Sequence, residues 1–330
     1  MTLILNAWAL DFALRHLEEG DGGEDRKTDS EFIPEDYWDK MGKLFKAMSH
    51  EATKFSMAFS SEPCPKGEAL VSLVSSMEKS VLAFVSVFYG LPKSQGLHLW
   101  RSTQRAVIQV LEDLCSLVKV VIEFGAGTQD QLKSTGMVWE DADLFPSLPK
   151  DNKEAISAQA KSNLSLVADA LTEIEEAADS DSPMDEMLLG LDGISEENDD
   201  TWSEDDKTLL APCLGLIKVT KTLIKKTEHA ARKNGQCVTQ GQIQELDDVG
   251  EVISRLSPSV DDFILSLYPP LDRSNMQEHA NQLFTLHGKL LDLLRKSHFT
   301  TEDDEKWVNF LFKANNHNWE KIQKEAVNVT

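Results

Sequence analysis

The chain has 330 residues, enough for about two ordinary domains, and a hydrophobic share of 41% that can fill buried cores. Its formal net charge is −23, from 33 Lys and Arg against 56 Asp and Glu. That balance opposes direct binding to nucleic acid phosphates or to anionic membranes, and it favours solubility and basic protein partners.

Leu, Ala, Lys and Glu are abundant and strand formers are not clustered, so the predicted class is all-α. Four cysteines, Cys64, Cys115, Cys213 and Cys237, stand far apart with no CxxC pair, which suits a reducing compartment. Leu3, Ala7, Leu10, Leu14 and Leu17 share one helical face. This start lacks a basic leader region and carries Asp11, so it reads as a docking or terminal helix, not a signal peptide. No run is long enough to span a bilayer, the best being Val81 to Leu91.

A Gly- and Asp-rich connector covers Gly20 to Ser30. From Pro34 a helix carries Tyr37, Met41, Leu44, Phe45, Met48, Ala52, Phe55 and Phe59 in a core-facing stripe. The run Glu62 to Gly67 breaks it. A second helix spans Glu68 to Tyr89 and is apolar on nearly all sides after Val81, so its end is expected inside the bundle. Gly90-Leu91-Pro92 stops it. A third covers Ser94 to Phe124, closed by Gly125, and a shorter one covers Gln129 to Leu144. Asp151 caps a helix to Ala178, with Ile156, Ala160, Leu164, Val167, Leu171 and Ile174 in register.

The composition then changes. No Lys or Arg occurs between Lys161 and Lys207, while fifteen Asp and Glu fall from Glu173 to Asp206. Met187 to Leu191 is an apolar island within this stretch, of the kind that can fold on a partner. Ser203 with Asp206 three positions on predicts a capped helix start. Leu209 to Lys233 follows, then Gln240 to Arg255. Ser257-Pro258 is expected to end that helix and open another from Ser259 to Leu267. Ser274 to Lys296, and a Thr301-capped helix to Ala326, complete the chain. The expected organisation is an N-terminal helix and connector (1–33), a helical bundle (34–178), an acidic linker (179–202) and a second bundle (203–330).

Chemistry is not visible. The eight histidines show no HExxH and no three- or four-residue pairing, and there is no GxSxG, phosphate loop or GxGxxG. No catalytic, cofactor-binding or metal residue is assigned. Leu209, Leu216 and Leu223, and Met276, Leu283, Leu286, Leu290 and Leu293, have zipper-like spacing, but bundle packing demands the same spacing. The pairs Lys225-Lys226, Arg232-Lys233 and Arg295-Lys296 sit late in their helices, where cations suit the helix dipole. The charge concentration beside an aromatic makes Asp199, Asp200, Trp202, Glu204, Asp205 and Asp206 the candidate partner surface. Ser203, followed by three acidic residues, is the candidate phosphorylation site.

An ordered set of short motifs points further. It comprises Trp202-Ser203-Glu204-Asp205-Asp206, Pro212-Cys213-Leu214, Ser257-Pro258-Ser259-Val260-Asp261-Asp262 and Tyr268-Pro269-Pro270. Leu91-Pro92-Lys93, Val138-Trp139 and Asp151-Asn152-Lys153 precede them. In that order they resemble the cyclin-D-binding protein family, the cyclin-D-interacting, Maid-type helix-loop-helix-like proteins. The resemblance implies a pair of helical bundles akin to those of vinculin and talin. It implies a non-enzymatic regulator of nucleus and cytoplasm that binds D-type cyclins and lowers retinoblastoma-protein phosphorylation, damping proliferation. It also implies inhibitory pairing with helix-loop-helix transcription factors and contact with signalling adaptors. The two rival readings are a helical adaptor for amphipathic partner helices and a decoy for helix-loop-helix factors.

Overall fold

The computed structural model describes residues 14, 15, 17, 32–180 and 201–327. The predicted face Leu3, Ala7 and Leu10, the connector at 20–30, the apolar island at 187–191, and Asp199 and Asp200 lie outside them. The described residues form nine α-helices and no strand. They are α1 (Pro34–Ala58), α2 (Glu68–Phe88), α3 (Leu97–Phe124), α4 (Gln129–Asp143) and α5 (Asn152–Ser180), then α6 (Glu204–Asn234), α7 (Gln240–Leu265), α8 (Arg273–Lys296) and α9 (Glu302–Val327). The chain divides into two units, Met1–Ala155 and Ile156–Thr330, each with its own core.

In the first unit α1 packs on α2 and α4, and α3 packs on α4. The predicted α1 stripe is the core face: Tyr37, Met41, Phe45, Met48, Ala52, Phe55 and Phe59 are all buried. Phe45 meets Phe84 of α2 edge-on at 4.9 Å, a preferred aromatic arrangement. Leu14 and Leu17 are helical and buried in this core, as a docking helix requires.

Two expectations about α2 are corrected. Its end is not enclosed on all sides, because Val81, Phe84 and Phe88 are buried while Leu82 is 65% exposed. It is also long and apolar enough, by length and composition, to cross a bilayer. Here it packs one side on α1.

The third helix begins later than expected. Lys93–Gln95 is a 3-10 turn, and Gly96 at φ 124° breaks it from α3. Gly96 offers no capping side chain. The Asn152 Oδ1 accepts from the Leu99 N–H at 3.2 Å and caps α3 from 53 residues away. An added Cβ on Gly96 would lie 2.1 Å from Asn152 Cγ. Asn152 is itself fully buried, so neither group has room to retreat.

In the second unit α6 packs on α9, α9 on α8 and α8 on α7. The expected border at residue 178 follows composition, whereas contacts divide the chain between Ala155 and Ile156. From Ile156 on, α5 belongs with the second unit: Ile156, Ala160, Val167, Leu171 and Ile174 join its core. Polar contacts follow the same partition, with Ser157 donating to Glu228 at 2.7 Å and Lys218 pairing with Glu175 at 2.7 Å. The acidic composition change drew the expected border, but the apolar stripe of α5 decides which core it completes.

Pro258 does not end a helix. α7 runs unbroken through it, with Val252, Ile253, Leu256, Val260, Phe263 and Ile264 all buried on one face. Proline costs an intrahelical hydrogen bond, and burial of that continuous apolar face outweighs it. Pro212 near the start of α6 is carried in the same way. The leucines with zipper spacing are core: Leu216, Leu223, Leu283 and Leu290 are 0% exposed.

Candidate functional site

The predicted partner surface sits at the entry to α6. Ser203 is the N-cap and forms a complete capping box with Asp206, as the spacing predicted. The Ser203 Oγ accepts from the Asp206 N–H at 3.2 Å and donates to Asp206 Oδ2 at 2.6 Å. Asp206 Oδ2 also accepts the Ser203 N–H at 3.2 Å. The other oxygen, Oδ1, pairs with Arg273 Nη2 at 3.2 Å, tying the start of α6 to the start of α8. Asp206 is therefore a structural carboxylate, with its side chain 17% exposed.

Trp202 corrects a second expectation. It is buried, not displayed, and its indole N–H donates to the Leu267 carbonyl at 2.7 Å. Its ring lies 6.2 Å from that of Tyr268, whose hydroxyl donates to Glu173 at 3.3 Å. The local sequence did hold a signal for this. An apolar residue immediately before an N-cap commonly folds back to fix the chain's entry angle. Trp202 buries a large apolar area and has its one polar hydrogen satisfied, so exposure would lose both.

The structure thus separates the six predicted residues. Glu204 and Asp205 point outward on the first turn of α6, with the Glu204 side chain 90% exposed and 3.7 Å from Lys207. Trp202 and Asp206 hold the helix start in place. The three acids in that turn also suit the positive end of the helix dipole. Ser203 is exposed, but its hydroxyl proton is given to Asp206. A phosphate there would gain from the helix N-terminus and lose the bond to Asp206 through like-charge repulsion. Ser203→Ala is expected to lower stability by about 1 kcal/mol, the usual worth of such a cap. Urea unfolding of the two proteins measures it, and an unchanged midpoint would show the box is idle.

Exposed aromatics also lie outside the predicted partner surface. Trp139 on α4 is 44% exposed, its indole N–H held by the Thr53 hydroxyl at 2.9 Å. Phe310 on α9 is 67% exposed. Neither has a local signal, because each occupies a helix position whose exposure depends on neighbouring helices. Among the described residues no group of three His, Cys, Asp or Glu is placed to hold a metal ion. His287 is fully buried in a polar cluster, 2.7 Å from Thr220 Oγ1 and 2.7 Å from Asn315 Oδ1. It has no open ligand position.

Fold and segment together describe an all-α protein of two helical units with an acidic first turn at the entry to the second. Two family patterns match in tandem. One is described as Grap2 and cyclin-D-interacting, N-terminal, over residues 40–180, and the other as its C-terminal counterpart over residues 178–292. The chain is 39% identical over 307 residues to a cyclin-D1-binding protein 1 homolog of Danio rerio, covering 91% of this chain and 89% of that one. It is 37% identical over 305 residues to the Xenopus laevis homolog, covering 91% and 92%. It is 29% identical over 318 residues to human cyclin-D1-binding protein 1, covering 92% and 88%. The chain belongs to the Grap2 and cyclin-D-interacting family, that of the cyclin-D1-binding proteins.

Proposed function

We propose that this protein binds D-type cyclins and restrains the cell cycle through that binding, without catalysis of its own. The observation that carries the reading is similarity along about nine-tenths of the chain to proteins named for binding cyclin D1. In this reading it works in nucleus and cytoplasm, where holding the cyclin lowers phosphorylation of the retinoblastoma protein. The outward acids Glu204 and Asp205, with Asp199 and Asp200 just before them in sequence, supply part of the cyclin contact.

Calorimetric titration of the chain against a D-type cyclin, alone and with its kinase subunit, tests this. Saturable binding that weakens with salt is expected. Reversing those four acids to Lys should weaken it by about tenfold. No binding at micromolar concentration would reject the cyclin reading, and binding indifferent to the reversal would reject this surface.

The helix-loop-helix decoy loses support from the buried leucines. Pairing through Leu216, Leu223, Leu283 and Leu290 would require opening the core they fill.

A further inference from the structure

The strongest local departure from the chain's overall charge is α6. Between Lys207 and Lys233 it carries seven Lys or Arg against one acidic residue, Glu228, within a chain of net charge −23. Helical spacing puts Lys218, Lys221 and Lys225 on one stripe, at i, i+3 and i+7. Lys226 follows Lys225 and, like it, is exposed. Lys218 is matched by Glu175 of α5. Among the described residues Lys221, Lys225 and Lys226 have no ion-pair partner within 4.0 Å.

The neighbouring helix extends this surface. α9 packs against α6 along its length. Phe312 of α9 turns to the other side, where Arg295 of α8 lies 4.9 Å from its ring. Phe310, two residues earlier, lies about 200° around the helix and is 67% exposed. Lys306 and Lys313, four before and three after it, are both exposed. The outer side of α6 and α9 therefore carries Lys225, Lys226, Lys306, Lys313 and one exposed apolar aromatic, with Lys221 on the α5 side of the same stripe; the exposed acids of α9, Glu302, Asp303, Glu305 and Glu320, lie to either side of this patch.

We propose that this face docks an acidic segment of a partner protein, its carboxylates on Lys221, Lys225 and Lys226 and an apolar side chain against Phe310. Charge complementarity selects the partner's sign. The net negative charge of the whole chain selects its extent. Within a Debye length of about 8 Å a short acidic segment meets only the lysines, whereas an extended polyanion also meets the surrounding carboxylates. The unmatched lysines start seventeen residues beyond Glu204, roughly 25 Å up the helix from where the preceding chain joins it. The proposal is independent of the cyclin reading and does not need a cyclin to test it.

The probe is a short fluorescein-labelled peptide with Glu at helical spacing and one Leu face, titrated by anisotropy against the full chain at low and high salt. Saturable, salt-weakened binding is expected. Lys221→Glu, Lys225→Glu and Lys226→Glu together should lower affinity about tenfold or more, while reversing exposed Lys43 and Lys133 should not. The neutral triple Lys→Gln should fall between, and an unchanged melting curve shows that the variants are folded. Absent binding, or equal loss in both sets, overturns the proposal. Equally strong, lysine-dependent binding of phosphatidylserine vesicles or duplex DNA overturns it in favour of a general polyanion surface. Binding that emerges only after the eight acids between Asp181 and Asp200 become Asn or Gln overturns it in favour of the chain's own segment.

Discussion

Lowering the pH from about 7.5 to about 4.5 is expected to remove about 2–3 kcal/mol of stability from the second unit through His287 alone. The imidazole is fully buried between α6, α8 and α9. Asn315 Nδ2 donates to the Phe284 carbonyl at 3.2 Å, which leaves Asn315 Oδ1 to accept from His287 Nδ1. His287 Nε2 is then the acceptor for the Thr220 hydroxyl, so the neutral ring satisfies both nitrogens. Burial pulls its pKa from 6.5 down to about 4, against the smaller upward pull of the Asn315 hydrogen bond.

The folded form therefore resists a proton that the unfolded chain accepts near pH 6.5. Stability is complete above that value and is lost as pH falls toward about 4. Denaturant unfolding of parent and His287→Gln at both pH values isolates the effect, because every other group is common to the two. The parent should lose more on acidification by about the stated amount. Equal losses would remove His287 as the cause.

The first unit contains a group of opposite sign. Asp113 is buried on α3, and burial raises its pKa to about 7, helped by a hydrogen bond to Asp141 and by that residue's charge. Its folded form holds a proton the unfolded chain has released above about pH 4. The first unit thus gains from acidification between about 7 and about 4, where the second loses.

Gly96→Ala is expected to cost about 3 kcal/mol, from a strained positive φ together with the loss of a buried capping bond. The new methyl would displace the Asn152 side chain, and with it the cap on the Leu99 N–H. Asn152→Gly should cost less, about 1–2 kcal/mol, since it removes the cap without a clash. The double variant should be less destabilised than the sum of the two, because the clash disappears with the side chain. Strict additivity in denaturant melts would show that the two residues act separately.

Much of the fold was legible because helices write themselves locally. The α1 stripe from Tyr37 to Phe59 and the Ser203–Asp206 box depend on residues within a turn or two, and both stand in the structure. What stayed hidden depends on distant partners. Nothing near Gly96 announces that Asn152 will close over it. The stripe of α5 shows that it is buried but not in which core, and the acidic residues after it suggested the other one. Pro258 carries a strong local stop signal that only the burial of α7's apolar face overrules. At the site, the candidate partner surface divides: Glu204 and Asp205 face outward, while Trp202 and Asp206 are held within the protein by Leu267 and Arg273.

The burial of Trp202 bears on what positions α6. With its indole fixed to Leu267 and Asp206 fixed to Arg273, the register of α6 is set from inside the second unit. The stretch between Ser180 and Thr201 is relieved of that duty. The placement of α6 is thus a property of the second unit's own side chains, not of the chain that leads into it.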